Sequence, residues 1–163
     1  MKKINIMLVI PNLNRGGAEK VMSIIANNLD REKFNVTILL LQKKGHYLNS
    51  LEKDIRVLSV NQNSVKKSLF PLVKIINKEK PDIVFSTLGH LNLTLMLLKP
   101  FLNKKIKFVA REASIPSIMN KKEKFPFLFN LLYKLLYNKF DKVICQSEYM
   151  KKDLISNFSI KKK

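Results

Sequence analysis

The sequence has no tryptophan, one cysteine, two histidines and four glycines in 163 residues. With Cys145 alone, no disulfide can close within the chain and no thiolate zinc cage can form. His46 and His90 are too few for a histidine-rich metal site, so none is expected. Acids are scarce as well: 12 Asp and Glu stand against 31 Lys and Arg, a formal net charge of +19. No run approaches the ~20 apolar residues that span a bilayer. A secretory leader is not expected. Met1-Lys2-Lys3 before an apolar run has the outline of one, but Pro11-Asn12-Leu13-Asn14-Arg15 follows without a small-residue cleavage site. The expectation is a soluble or peripheral chain in a reducing cytoplasm.

What is present supports a folded core. An apolar fraction of 46% excludes a disordered basic tail, and the length suits one domain. The charge is spread evenly, with 15 cations against 6 acids in residues 1–80 and 16 against 6 in residues 81–163. Lysine supplies 27 of the cations and arginine four. Base-reading proteins lean on the planar guanidinium, so nucleic acid is not the expected partner. An anionic membrane surface fits a lysine-rich chain better. AT-rich codon usage, which favours Lys, Asn and Ile, accounts for the same excess without any partner.

Short β-rich runs alternate with longer helical ones. Ile4–Ile10 is almost continuously apolar, as in a parallel strand covered on both faces. Ala18, Val21, Met22, Ile25 and Leu29 then recur at helical spacing. Further strands are expected at 36–41, 55–60, from 83, at 107–110 and at 142–145. Further helices are expected at 65–80 with Pro71 as a kink or late start, 91–102, 123–140, and from the N-cap Ser147 to about 157. This rhythm implies right-handed βαβ units and a doubly wound α/β fold: a parallel sheet of about six strands, ordered 3-2-1-4-5-6, with helices on both faces. Ligands bind such sheets at the carboxyl edge where the strand order reverses. That places residues 12–17 and 87–90 at the site, and with them Gly16, Gly17 and Gly89.

The sharpest local signal is Asn14-Arg15-Gly16-Gly17-Ala18-Glu19-Lys20 between the first strand and first helix. Paired glycines permit tight turning and close approach of a ligand, and the helix start offers free N–H groups. A plain strand-to-helix turn needing a positive φ would use the same residues. The run is not the G-x-G-x-x-G dinucleotide turn, and no acid follows the second strand to hold a ribose. That weighs against a nicotinamide-dependent nucleotide-sugar epimerase or dehydrogenase. A non-catalytic module for anionic lipid or nucleic acid is the other alternative.

Three segments, in order, resemble the amino-terminal domain of family 4 glycosyltransferases of the two-domain GT-B type. They are Gly16-Gly17-Ala18-Glu19-Lys20-Val21, Lys80-Pro81-Asp82-Ile83-Val84, and Phe140-Asp141-Lys142-Val143-Ile144-Cys145-Gln146-Ser147-Glu148. The resemblance covers essentially the whole chain. It implies a Rossmann-like domain that binds the acceptor, often a lipid-linked sugar, while a second domain binds the nucleotide-sugar donor and transfer retains the anomeric configuration. Many members carry a His just after the fifth strand, facing the donor sugar; here the residues are Arg111-Glu112. The resemblance therefore implies Glu112 and His90 as catalytic candidates, with Asn14, Gly16, Gly17, Glu19 and Arg111 binding substrate. An ordinary loop ion pair is the alternative for Arg111 and Glu112. The family's donor machinery, two glutamates two helical turns apart and a basic pair, has no counterpart in these residues. The chain is thus expected to be an acceptor half without its donor half, inactive alone. Finally, residues 121–140 hold four of the ten phenylalanines and two of the four tyrosines among several lysines. Such a helix suits a bilayer interface or burial against another domain.

Overall fold

A computed structural model describes residues 2–62 and 65–161. Lys162 and Lys163, which with Lys161 form the terminal lysine run, lie outside the described residues. Six parallel strands form one sheet: β1 (Ile4–Ile10), β2 (Phe34–Leu40), β3 (Arg56–Ser59), β4 (Ile83–Thr87), β5 (Lys107–Arg111) and β6 (Lys142–Ile144). Their order is β3-β2-β1-β4-β5-β6, as the βαβ rhythm predicts. Register runs Leu8 beside Ile38 and Phe85, and Thr87 beside Arg111.

The period of two along β1 divides the core. Met7 and Val9 join one cluster, with Leu72 and Ile76 of α2 (Val65–Glu79), Leu91, Leu93, Leu95, Met96 and Leu98 of the buried helix α3 (Gly89–Leu98), Tyr133 and Leu136 of α5 (Pro126–Leu136), and Leu154 and Phe158 of α6 (Glu148–Phe158). Ile6, Leu8 and Ile10 face the opposite way, toward Met22 and Ala26 of α1 (Gly17–Asn28). Helices therefore cover both faces, and β1 reads as continuous apolar sequence because both of its sides are buried.

Most differences from the sequence expectation are at element ends. α2 runs through Pro71 without ending there. α3 starts at Gly89 and gives way to a single 3-10 turn at Lys99–Phe101, around Pro100. The helix expected at 123–140 is shorter. Pro126 lacks an N–H and suits the first turn only, and Phe125 before it is non-helical at φ −131 and ψ 74, so α5 cannot begin earlier. A short helix α4 (Pro116–Met119), also opened by a proline, and a 3-10 turn at Asn120–Lys122 were not expected. Ser147 caps α6 as predicted, accepting from the Met150 N–H at 3.2 Å.

Candidate functional site

At the carboxyl edge, β1 and β4 are neighbours whose chains leave in opposite directions, toward α1 and α3. A slot of about 360 Å³ opens there. Pro11 from the end of β1, Leu88 and Leu91 around the start of α3, Met119 of α4 and Phe129 of α5 give it apolar walls. His90, Ser114, Asn120 and Glu123 supply its polar groups. The His90 Nε2 lies 3.0 Å from the Glu123 Oε1, and the imidazole meets the Phe129 ring edge-on at 5.0 Å. The His90 side chain is 57% exposed and can reach a bound molecule.

Backbone strain marks the same place. Leu88, the residue before α3, has φ +74, a conformation costly for a branched residue and usually held by its surroundings. Gly89 follows, and a Cβ there would collide with the buried Tyr133 hydroxyl. The β4–α3 turn is thus packed directly on α5.

Arg111 and Glu112, expected to bind substrate and to act in catalysis, are both buried beneath this surface. Arg111 is buried and its Nη1 donates to the Thr87 Oγ1 at 3.2 Å; desolvation lowers its pKa, while Glu112 raises it. Glu112 is wholly buried. Its Oε1 accepts from the Tyr137 hydroxyl and from the Asn92 Nδ2 at 3.3 Å, and Asn92 in turn accepts from the Ser86 Oγ at 2.7 Å. The Tyr133 and Tyr137 rings stack 4.3 Å apart beside it. The Glu112 Oε2 has no hydrogen-bond partner among the described residues. Burial pushes its carboxyl up to about 8, against smaller opposing effects of Asn92, Tyr133 and Arg111, so it is mostly protonated at neutral pH. Through these bonds Glu112 ties the end of β5 to α3 and to the turn that follows α5.

Asn14, Gly16, Gly17 and Glu19 sit in the loop after β1 and the first turn of α1, outside the slot lining. Gly16 is extended at φ −156, and Glu19 folds its carboxylate over the Gly16 Cα. The positive φ considered for this turn is therefore absent. Gly17 faces open space. The residue that needs glycine is Gly45, after β2, with φ +130 and the Leu13 carbonyl where a Cβ would go. It lets Leu13 exchange backbone hydrogen bonds with Lys44 and Tyr47, both 2.9 Å, which hold the 12–17 loop in place. Gly45 escaped the sequence reading because it lies outside the motif it supports.

Two other hollows are less suited. One of about 440 Å³ lies at the opposite, amino edge, among the ion pairs Arg31–Asp54 and Arg56–Glu79. Another of about 700 Å³ runs beside β6 and the start of α6. Among the described residues, no group of three His, Cys, Asp or Glu could hold a metal ion.

A family model described as Glycosyltransferase Family 4 matches residues 15–163. The chain belongs to glycosyltransferase family 4. A Campylobacter jejuni relative, N-acetylgalactosamine-N,N'-diacetylbacillosaminyl-diphospho-undecaprenol 4-alpha-N-acetylgalactosaminyltransferase, is 31% identical over all of this chain and 46% of its own length. This family 4 chain therefore spans about half the length of that curated relative. Among solved structures, a Rickettsia africae glycosyltransferase superposes with a TM-score of 0.72 at 21% identity, over 99% of this chain and 41% of its own. A sucrose-phosphate synthase from Thermosynechococcus elongatus gives 0.72 at 10% identity, over 98% and 46%. The Anabaena protein HepE, in complex with UDP, gives 0.66 at 17% identity, over 94% and 40%. These structural likenesses establish the Rossmann-like GT-B fold.

Proposed function

We propose that this chain is the acceptor-binding half of a retaining enzyme that moves a hexosyl group from a nucleotide-sugar to a lipid-linked or cell-surface glycan. The enzyme works at the cytoplasmic face of a membrane, and the 163-residue chain transfers nothing alone. The observation that carries this reading is the slot at the β1–β4 switch point. Apolar walls with His90 and Glu123 among their polar groups suit a sugar attached to an apolar carrier. The Campylobacter relative is named for an acceptor of that kind, a glycan on diphospho-undecaprenol.

In this reading His90 meets the acceptor, with a hydroxyl or phosphate oxygen at the ring nitrogen not engaged by Glu123. Gly17, with open space beside it and the α1 N-terminus behind it, forms the floor nearest the donor. Asn14, Gly16, Glu19 and Arg111 frame that floor, and Glu112 holds the frame from below. The donor diphosphate is stabilised by groups outside these residues, and the nucleotide-sugar is a co-substrate rather than a resident cofactor.

Calorimetric titration of the chain with a short-chain prenyl-diphosphate glycan tests the acceptor site directly. Saturable binding that weakens on His90→Ala supports it; no binding at millimolar ligand overturns it. The intact mass of the native gene product tests the division of labour. A mass near 19 kDa, with turnover of nucleotide-sugar by the purified chain, would overturn it.

A further inference from the structure

Behind the slot, one buried carboxylate is given over to a four-residue helix. Asp153 of α6 is 8% exposed, and the groups that bond it are uncharged donors. Its Oδ2 accepts from the Ser117 N–H at 3.1 Å. Its Oδ1 accepts from the Ser117 hydroxyl and from the Asn157 Nδ2, the latter at 2.8 Å. Ser117 belongs to α4, which needs such a partner. Four residues are too few to hold a helix unaided. Pro116 has no N–H, and the Ile118 and Met119 N–H groups both bond the Ile115 carbonyl, at 3.2 and 3.0 Å. Ser117 carries the remaining N–H of the helix, and Ile115 in the N-cap position has no side-chain oxygen to meet it. Apolar burial anchors α4 only at Pro116, since Ile118 is 45% and Met119 43% exposed. Asp153 therefore supplies the cap, from a helix 36 positions further along the chain.

What α4 carries faces the slot. Met119, Asn120 and Glu123 all line it. The Asn120 carbonyl accepts from the Glu123 N–H at 3.1 Å, and the Glu123 carboxylate in turn meets His90. The Asn120 Nδ2 donates to the Asn130 Oδ1 of α5 at 2.9 Å. This wall is thus pinned to α6, α5 and α3, and the pin on α6 is the one at which it starts. We propose that Asp153 is a positioning residue for acceptor binding. It lies outside the slot lining and touches no substrate. By capping α4 it sets where Met119, Asn120 and Glu123 stand, and through Glu123 it sets the direction of His90. The role at the slot rests on the acceptor reading; the capping of α4 does not.

Two measurements on the chain test this: amide hydrogen exchange, and calorimetric titration with a short-chain prenyl-diphosphate glycan. Asp153→Ala should speed exchange at Ser117, Ile118 and Met119 by about fivefold or more, the scale of a lost helix cap, while β1 and β4 stay protected. Acceptor affinity should fall by a similar factor. Asp153→Asn keeps an oxygen for the Ser117 N–H and offers an N–H to its hydroxyl, so it should restore most of both. Ser117→Ala loses only the hydroxyl bond and should move both readouts the same way by less, which keeps the test open if Asp153→Ala does not fold. Ile155→Ala is the control. It trims a partly buried side chain of α6 that lines the hollow beside β6, and should lower the melting midpoint with acceptor affinity unchanged. Unchanged exchange at residues 117–119 in Asp153→Ala and Ser117→Ala would overturn the proposal. So would faster exchange with wild-type affinity, or an equal loss of affinity in Ile155→Ala. A wild-type chain that binds no glycan overturns the acceptor reading and with it the role at the slot, while exchange still decides whether Asp153 caps α4.

Discussion

The Tyr133 phenol oxygen occupies the space that a Cβ on Gly89 would fill. Gly89 opens α3 at the slot, and Tyr133 is the inward residue of α5 that stacks on Tyr137. The pair makes the position of the slot depend on side-chain packing 44 residues further along the chain. Gly89→Ala should therefore destabilise the fold by about 1–3 kcal/mol, the usual range for overpacking. Tyr133→Phe removes the atom in the way, so the double variant should recover part of that loss. Urea melts of the four proteins give the coupling, and a purely additive result would remove the proposed contact.

Glu112 should make stability depend on pH in a direction opposite to an ordinary salt-bridged acid. Its carboxyl is raised from 4.5 to about 8 by burial. Between those values the folded chain holds a proton that the unfolded chain has released. Stability should thus be greatest at or below about pH 4.5 as far as this group is concerned, and should fall as pH rises toward about 8. Glu112→Gln keeps an acceptor for Tyr137 and Asn92 and should flatten that slope. Glu112→Ala leaves the buried Tyr137 hydroxyl without its acceptor, while the Asn92 Nδ2 keeps the Arg111 carbonyl and the Tyr137 oxygen, and should cost about 1–3 kcal/mol at any pH. Denaturant midpoints from pH 5 to pH 9 separate the three cases. If Glu112 positions the site, acceptor affinity should follow the same pH trend in wild type and lose it in Glu112→Gln.

The strand order was legible because the buried parallel strands carry short apolar runs, Ile6–Ile10 in β1, Ile38–Leu40 in β2 and Ile83–Phe85 in β4, set between helical segments. The depth of Glu112 was not. A glutamate reads as a surface residue, and its partners Asn92 and Tyr137 stand 20 and 25 positions away. Only the folded sheet brings them together. The α4 helix was missed for a different reason: four residues carry too little period to read, and only Pro116 at its first position hints at a helix start. Topology put His90 at the carboxyl edge beside β4, although it lies in the first turn of α3 rather than on a loop, and its partner Glu123 has no local signal at all.

Gly45 and Gly17 should respond to alanine in opposite ways. Gly45 is held at φ +130 against the Leu13 backbone, so Gly45→Ala should destabilise by about 1–3 kcal/mol and loosen the 12–17 loop. Gly17 is helical with nothing near its missing Cβ, so Gly17→Ala should leave stability unchanged or raise it by up to about 1 kcal/mol. Under the proposed function a ligand closes on that open space. Full-length enzyme carrying Gly17→Ala should then be stable yet impaired in transfer. Thermal melts alongside turnover measure both, and full activity in a stable Gly17→Ala enzyme would place the substrate elsewhere.

His90 offers the cleanest separation of binding from folding. Its side chain is more than half exposed, and its contacts are one carboxylate and one ring edge, so His90→Ala should shift the melting midpoint little. If His90 meets the acceptor, the same change should weaken acceptor binding by about tenfold or more, the effect of losing one good polar contact. Glu123→Gln is the matching control. It keeps a hydrogen-bond acceptor for the imidazole but removes the charge, and should weaken acceptor binding by less than His90→Ala. Calorimetric titration of both variants checks the order. Equal losses would mean that the imidazole acts only by holding Glu123 in place, and unchanged affinity in both would move the acceptor out of the slot.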